Sequence, residues 1–240
     1  MTQLGQLTVL HSFGSTVLLN GLIQGADGNF YGTTQNGGSA GDGAVFEMTP
    51  QGTVTILHSF GDKSVANDGT LPNGIIQGSD TNFYGTTQNG GSTGDGVVFE
   101  MTPQGTVTIL HNFGDKSVTH DGAQPNGLIQ GSDSNFYGTT QNGGSAGDGT
   151  VFQITPQGTV TIFHNFGDQS VTNDGLNPKT ALLQGYDGNF YGTTTGGGSF
   201  NEGTIFQITP GQVVTIAHSF GDPQISAYGS GISDGTIPLV

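Results

Sequence analysis

A six-residue phrase, Asn-Phe-Tyr-Gly-Thr-Thr, occurs four times in this 240-residue chain, and its tyrosines (Tyr31, Tyr84, Tyr137, Tyr191) lie 53, 53 and 54 residues apart. A second phrase, Val-Thr-Ile-x-His-[Ser/Asn]-Phe-Gly, keeps the same interval at His58, His111, His164 and His218, and a shorter form ends at His11-Ser12-Phe13-Gly14. A period in this range means one supersecondary unit copied along the chain, each copy burying a face against the next. That constraint fixes the architecture far more tightly than it fixes chemistry.

Within the second unit, Gly74–Gly78 is a short apolar run and Phe83–Thr87 is aromatic and β-branched, as strands are. A glycine-rich loop, residues 88–96, is unsuited to helix and leads to a third run, Val97–Thr102. Pro103-Gln104-Gly105 is a tight turn, after which Thr106–Phe113 alternates Val107, Ile109, His111 and Phe113 against Thr106, Thr108, Leu110 and Asn112. Four antiparallel strands in about 53 residues, with no helical periodicity, describe the blade of an all-β propeller. The expectation is one domain over residues 1–240: an extra outer strand at 4–13, four complete blades at 21–60, 74–113, 127–166 and 181–220, and a tail at 221–240.

The phrases Asp27–Thr34, Gly149–Pro156 and Ile162–Phe166 resemble the GloVer (Gloeo/Verruco) tandem repeat of bacterial surface and secreted proteins. That resemblance spans nearly the whole chain and implies a β-propeller and an extracellular or cell-surface habitat. It implies no particular chemistry.

Composition narrows the partners. Eighteen acidic residues face three lysines (Lys63, Lys116, Lys179), for a net charge of −15, which repels nucleic-acid phosphates and anionic lipid. There is no cysteine, hence no disulfide or thiolate metal site, and no apolar run approaches a membrane span. Met1-Thr2-Gln3-Leu4 lacks the basic and apolar pattern of a leader. Hydrophobic residues are only 32% of the chain, and its 45 glycines sit at fixed turn positions in each unit.

Five outer-strand phrases accompany only four sets of inner strands, so the ring is uneven. Either a fifth blade is a stub made by the two ends, or four blades form an open arc that joins a second chain into a ring of about eight blades. Bare apolar faces favour the second closure, a homodimer.

The acidic linkers and glycine-rich loops emerge on one face of such a fold. Asp62, Asp68 and Asp95 recur as Asp115, Asp121 and Asp148 and again as Asp168, Asp174 and Glu202, a candidate binding set. Calcium suits such carboxylates, although Asp beside Gly also simply makes turns, and no cofactor is the expectation. The periodic histidines (His58, His111, His164, His218) and tyrosines (Tyr31, Tyr84, Tyr137, Tyr191) read as blade-packing residues rather than metal ligands or sugar platforms. The departures from repetition cluster in the fourth unit, at Tyr186 and Phe200-Asn201-Glu202, without forming a recognisable catalytic constellation. Near-identical loops therefore suggest a non-catalytic binding or scaffold module for a polysaccharide or protein. The alternatives are a carbohydrate-active hydrolase or lyase with its site on the acidic face, and a purely structural or engineered repeat assembly.

Overall fold

The computed structural model describes residues 7–15 and 17–221, and every regular element in them is a β-strand. Blade 1 is β1 (Leu19–Gln24), β2 (Phe30–Thr34), β3 (Ala44–Met48) and β4 (Val54–Ser59); blade 2 is β5 (Thr70–Gln77), β6 (Phe83–Asn89), β7 (Val97–Met101) and β8 (Val107–Asn112). In blade 3 the first strand is in two pieces, β9 (Ala123–Pro125) and β10 (Ile129–Gln130), followed by β11 (Phe136–Asn142), β12 (Thr150–Ile154) and β13 (Val160–Asn165). Blade 4 repeats that pattern with β14 (Gly175–Pro178), β15 (Leu183–Gln184), β16 (Phe190–Gly197), β17 (Thr204–Ile208) and β18 (Val214–Ser219). Each blade is an antiparallel meander, so the fold is the β-propeller that the repeat calls for.

Blades pack face to face, largely through their inner strands. Tyr31, Val45 and Phe60 of blade 1 pack against Ile75, Phe83, Phe99 and Met101 of blade 2, and the same sets recur between blades 2 and 3 and between blades 3 and 4. The hydrophobic core is therefore three inter-blade seams rather than one interior. Apart from the partly buried Phe163, each Phe at these seams is at most 1% exposed, worth about 1.5–3 kcal/mol by burial alone. The glycine in Tyr-Gly-Thr-Thr makes this packing possible: a Cβ at Gly85 would lie 2.7 Å from the Phe99 ring. Only glycine lets the third-strand ring lie flat on the second strand.

Polar links repeat at the same interval. Asn73 Nδ2 donates to the Pro125 carbonyl at 2.7 Å, Thr86 Oγ1 donates to the Asn126 carbonyl at 2.8 Å, and Ser79 N donates to Gln130 Oε1 at 3.0 Å. Counterparts in blades 1 and 3 do the same, which satisfies backbone groups that a seam would otherwise leave unpaired.

Two sequence expectations change. The first strand of blade 2 starts at Thr70 rather than 74, because the end of the linker bends into it through a bulge at Pro72/Ile75. Leu71 sits there at φ 53°, held by donating its N–H to the Asp42 carbonyl of the preceding blade at 2.9 Å; Gln124 and Asn177 repeat the device. Residues 7–13, expected as part of an outer strand, form no strand, although Phe13 packs on Phe46 at 5.0 Å. Residues 4–6 of that segment and 222–240 of the tail lie outside the described residues.

Candidate functional site

Antiparallel order puts the 2–3 loops and the inter-blade linkers at one end of every blade. Contacts join them there: Ser39 Oγ donates to Asp62 Oδ2 at 3.4 Å, and Ser39 N donates to Ser59 Oγ at 3.2 Å. The nine candidate carboxylates all lie on this end, but in three different situations.

Asp62, Asp115 and Asp168 are exposed, and each accepts the N–H of the serine two residues on, at 2.8, 2.8 and 2.9 Å. Bonding to Ser64 and Ser117 holds the Asp62 and Asp115 carboxyls below the usual carboxylate range. These are turn-makers. Asp68, Asp121 and Asp174 are buried, and each meets the Nε2 of a buried histidine: His58 at 2.9 Å, His111 at 2.8 Å and His164 at 2.9 Å. Their carboxylates also take the N–H of Gly61, Gly114 and Gly167. Each pair clips a linker to the outer strand ten residues before it, so these three acids are spent inside the protein. Asp95 and Asp148 lie over Gly114 and Gly167, where an added Cβ would come within 2.2 and 2.4 Å of them, and Glu202 lies likewise over Gly221. The histidine–aspartate pairs were missed by sequence reading. The signal was present, since an Asp follows His58, His111 and His164 by ten residues whereas Gly21 holds that place after His11.

A second carboxylate cluster lies at the opposite end, in the 1–2 turns. Tyr31 Oη donates to Asp27 Oδ2 at 2.8 Å, and Asn29 Nδ2 donates to both Asp27 Oδ2 at 2.9 Å and Glu47 Oε1 at 2.5 Å. Blade 2 repeats this with Asp80, Asn82, Tyr84 and Glu100. In blades 3 and 4 the glutamate is Gln153 or Gln207, whose Nε2 donates to the tyrosine oxygen at 2.6 or 2.8 Å. A phenol between two acids resembles an activated nucleophile, but the electrostatics oppose it. Burial, the Asp27 hydrogen bond and the Glu47 charge all push the Tyr31 phenol well above its ordinary range, and burial with the Asp133 bond pushes Tyr137 up to about 12. The rings themselves lie on the next blade's Phe, with centroids 4.3, 4.0 and 4.1 Å apart for Tyr31, Tyr84 and Tyr137. These tyrosines pack; they offer no platform to a ligand.

The fourth unit differs. Phe200 takes the place of Ala40, Thr93 and Ala146, and it is 45% exposed. It borders a cavity of about 480 Å³ on the loop end, lined by Thr172, Asn173, Ser199, Ile216 and His218, a size within the usual span of small-molecule sites. Glu202, two residues on in the same loop, does not line that cavity; its side chain lies over Gly221. Tyr186, the other departure, is fully exposed at the opposite end and takes no part. Among the described residues, no group of three or more His, Cys, Asp or Glu forms a metal centre, and no helix is long and apolar enough to cross a membrane.

The family model of the Gloeobacter/Verrucomicrobia repeat matches residues 18–237. No curated protein matches the sequence. Among solved structures, a gluconolactonase from Xanthomonas campestris superposes with a TM-score of 0.54 at 14% identity, over 82% of this chain and 60% of its own. A putative gluconolactonase gives 0.52 at 14% identity, over 86% and 68%, and a protein of unknown function from Dyadobacter fermentans gives 0.55 at 7% identity, over 86% and 70%. The chain thus spans about two thirds of the length of these structures, and the likeness at such identities is one of fold. It nevertheless corrects the expectation of a non-catalytic binding or scaffold module, because the propellers whose function is stated are enzymes.

Proposed function

The chain belongs to the Gloeobacter/Verrucomicrobia repeat family, and from that premise we propose that it is a carbohydrate-active hydrolase or lyase whose site is the loop end of blade 4. The observation that carries the reading is the pairing of an exposed aromatic, Phe200, with a cavity of about 480 Å³ where the other units have a small residue. The C–H face of a sugar ring packs on an aromatic ring, and the linker side chains Thr172 and Asn173 offer hydroxyl and amide partners to its hydroxyls. Proton transfer is assigned to Glu202, two residues from Phe200 on the same loop, as general acid toward a leaving oxygen or as base toward water or a ring proton. Symmetry-breaking supports this assignment, since catalysis needs one specialised unit and three of the four loops are nearly alike. The sugar-lactone activity named for the structural neighbours fits the same substrate class. A bacterial surface or secreted setting fits the acidic, cysteine-free composition.

The test is turnover on a panel of polysaccharides and aldonolactones, read as reducing ends, unsaturated products or acid release. Activity on one class should fall about 10²–10⁴-fold in Glu202→Gln and lose substrate affinity in Phe200→Ala. No turnover across the panel, or full activity in Glu202→Gln, refutes the assignment.

A further inference from the structure

The three seams are one design, and the chain carries both halves of a fourth. A trailing half presents Tyr, a β-branched residue and Phe; a leading half presents Ile or Leu, two Phe, and Met or Ile. Among the described residues, the same side chains at the ends of the array stand without a neighbouring blade. Blade 4 presents Tyr191, Ile205 and Phe220, all more exposed than their counterparts in the interior. Blade 1 presents Leu22, Phe30, Phe46 and Met48; Leu22 is 52% exposed, against 3–4% for Ile75, Leu128 and Leu182 at the same position.

One seat on the leading face of blade 1 is already taken. Phe13 lies on Phe46 at 5.0 Å as Phe60 lies on Phe99 at 5.2 Å, and His11 meets Phe13 edge-on at 4.7 Å as His58 meets Phe60 at 4.8 Å. The Leu10 carbonyl sits against Gly52 as the Leu57 carbonyl sits against Gly105. Residues 7–13 thus imitate the outer strand of a preceding blade without pairing as one. The seats that a preceding Tyr and Val would fill remain open, as an apolar cavity of about 370 Å³ between Leu7, Val9, Leu10, Leu22 and Phe46.

We propose that the leading face of blade 1 and the trailing face of blade 4 form an interface between two copies of this chain, and that residues 7–13 cap it. The occupant is a second copy because the cavity asks for a tyrosine and a β-branched residue on adjacent strands, which Tyr191 and Ile205 supply on β16 and β17. Continuity with the three interior seams specifies the register. The incoming Phe220 needs the seat that Phe13 holds, so residues 7–13 must leave before the copies join. The cap therefore sets the strength of association. A charge of −15 on each chain opposes it further, and salt relieves that part.

Light scattering across a concentration series tests this with full-length chains. Phe13→Asp, which unseats the cap, should associate at a concentration at least about tenfold lower than the unaltered chain, and more strongly in salt. In the Phe13→Asp background, Leu22→Asp and Tyr191→Asp should each be monomeric alone and form pairs when mixed, because each retains the half the other lacks. Ile205→Asp replaces Tyr191→Asp if circular dichroism shows a loss of fold. Phe13→Asp associating no better than the unaltered chain removes the cap. Folded single variants that fail to pair on mixing overturn the interface itself.

Discussion

The interior of the array and its two ends carry the same residues and use them differently. Leu128 and Leu22 occupy one position of the repeat, yet Leu128 is 3% exposed and Leu22 is 52% exposed. His111 is buried against Asp121, whereas His11, in the same phrase, is exposed and has glycine where the aspartate belongs. A repeat sequence therefore does not carry its own stability. The seam does, and it exists only where a neighbouring blade supplies the other half.

Substitutions at matched positions sharpen that contrast. The largest effect is expected at the clipped linkers: His111→Ala leaves the Asp121 carboxylate buried without its partner and should cost about 3–5 kcal/mol in denaturant unfolding, while His11→Ala stays within about 0.5 kcal/mol. Equal losses would break the comparison. Next, Leu128→Ala opens a cavity in a seam and should cost about 2–5 kcal/mol, against about 0.5 kcal/mol or less for Leu22→Ala at the exposed face. A smaller effect of opposite sign is expected from Glu100→Gln, which gives blade 2 the amide that Gln153 and Gln207 already donate to tyrosine in blades 3 and 4. A gain of about 0.5–1.5 kcal/mol at neutral pH is expected, and a loss would mean the glutamate is needed as a carboxylate.

The smallest effect is alkaline. Burial and the Asp133 hydrogen bond push the Tyr137 phenol from its ordinary 10.0 up to about 12. A raised pKa stabilises the fold fully below the unfolded value, and that contribution fades as pH climbs from about 10 toward 12. Tyr137→Phe should therefore flatten the fall of melting temperature over that window. Tyr191→Phe at the open end should change the slope less, because hydrogen bonding to Asp187, rather than burial, leads the rise there.

Much of this fold was legible. The Phe-Tyr-Gly-Thr-Thr and Val-Thr-Ile phrases located the second and fourth strands almost to the residue, because alternation and turn chemistry agree there. The start of the first strand was not, because Leu71 before Pro72 adopts a positive φ that only the preceding blade's carbonyl explains. Of the acidic residues, sequence gave position but not commitment. Asp62 and Asp68 look alike in one dimension, and only the fold shows one bonding its own turn and the other buried against His58. Phe200 was visible as a departure from repetition, but its cavity forms only when the linker Thr172-Asn173 and β18 come beside it.

Amide hydrogen exchange followed by mass spectrometry tests the central claim most directly, since it reads each strand's protection separately. The third strands of blades 2 and 3, Val97–Met101 and Thr150–Ile154, should exchange last, and Leu19–Gln24 and Val214–Ser219 first. Uniform protection across all four blades, or end strands that outlast the interior ones, would contradict a molecule held together by its seams.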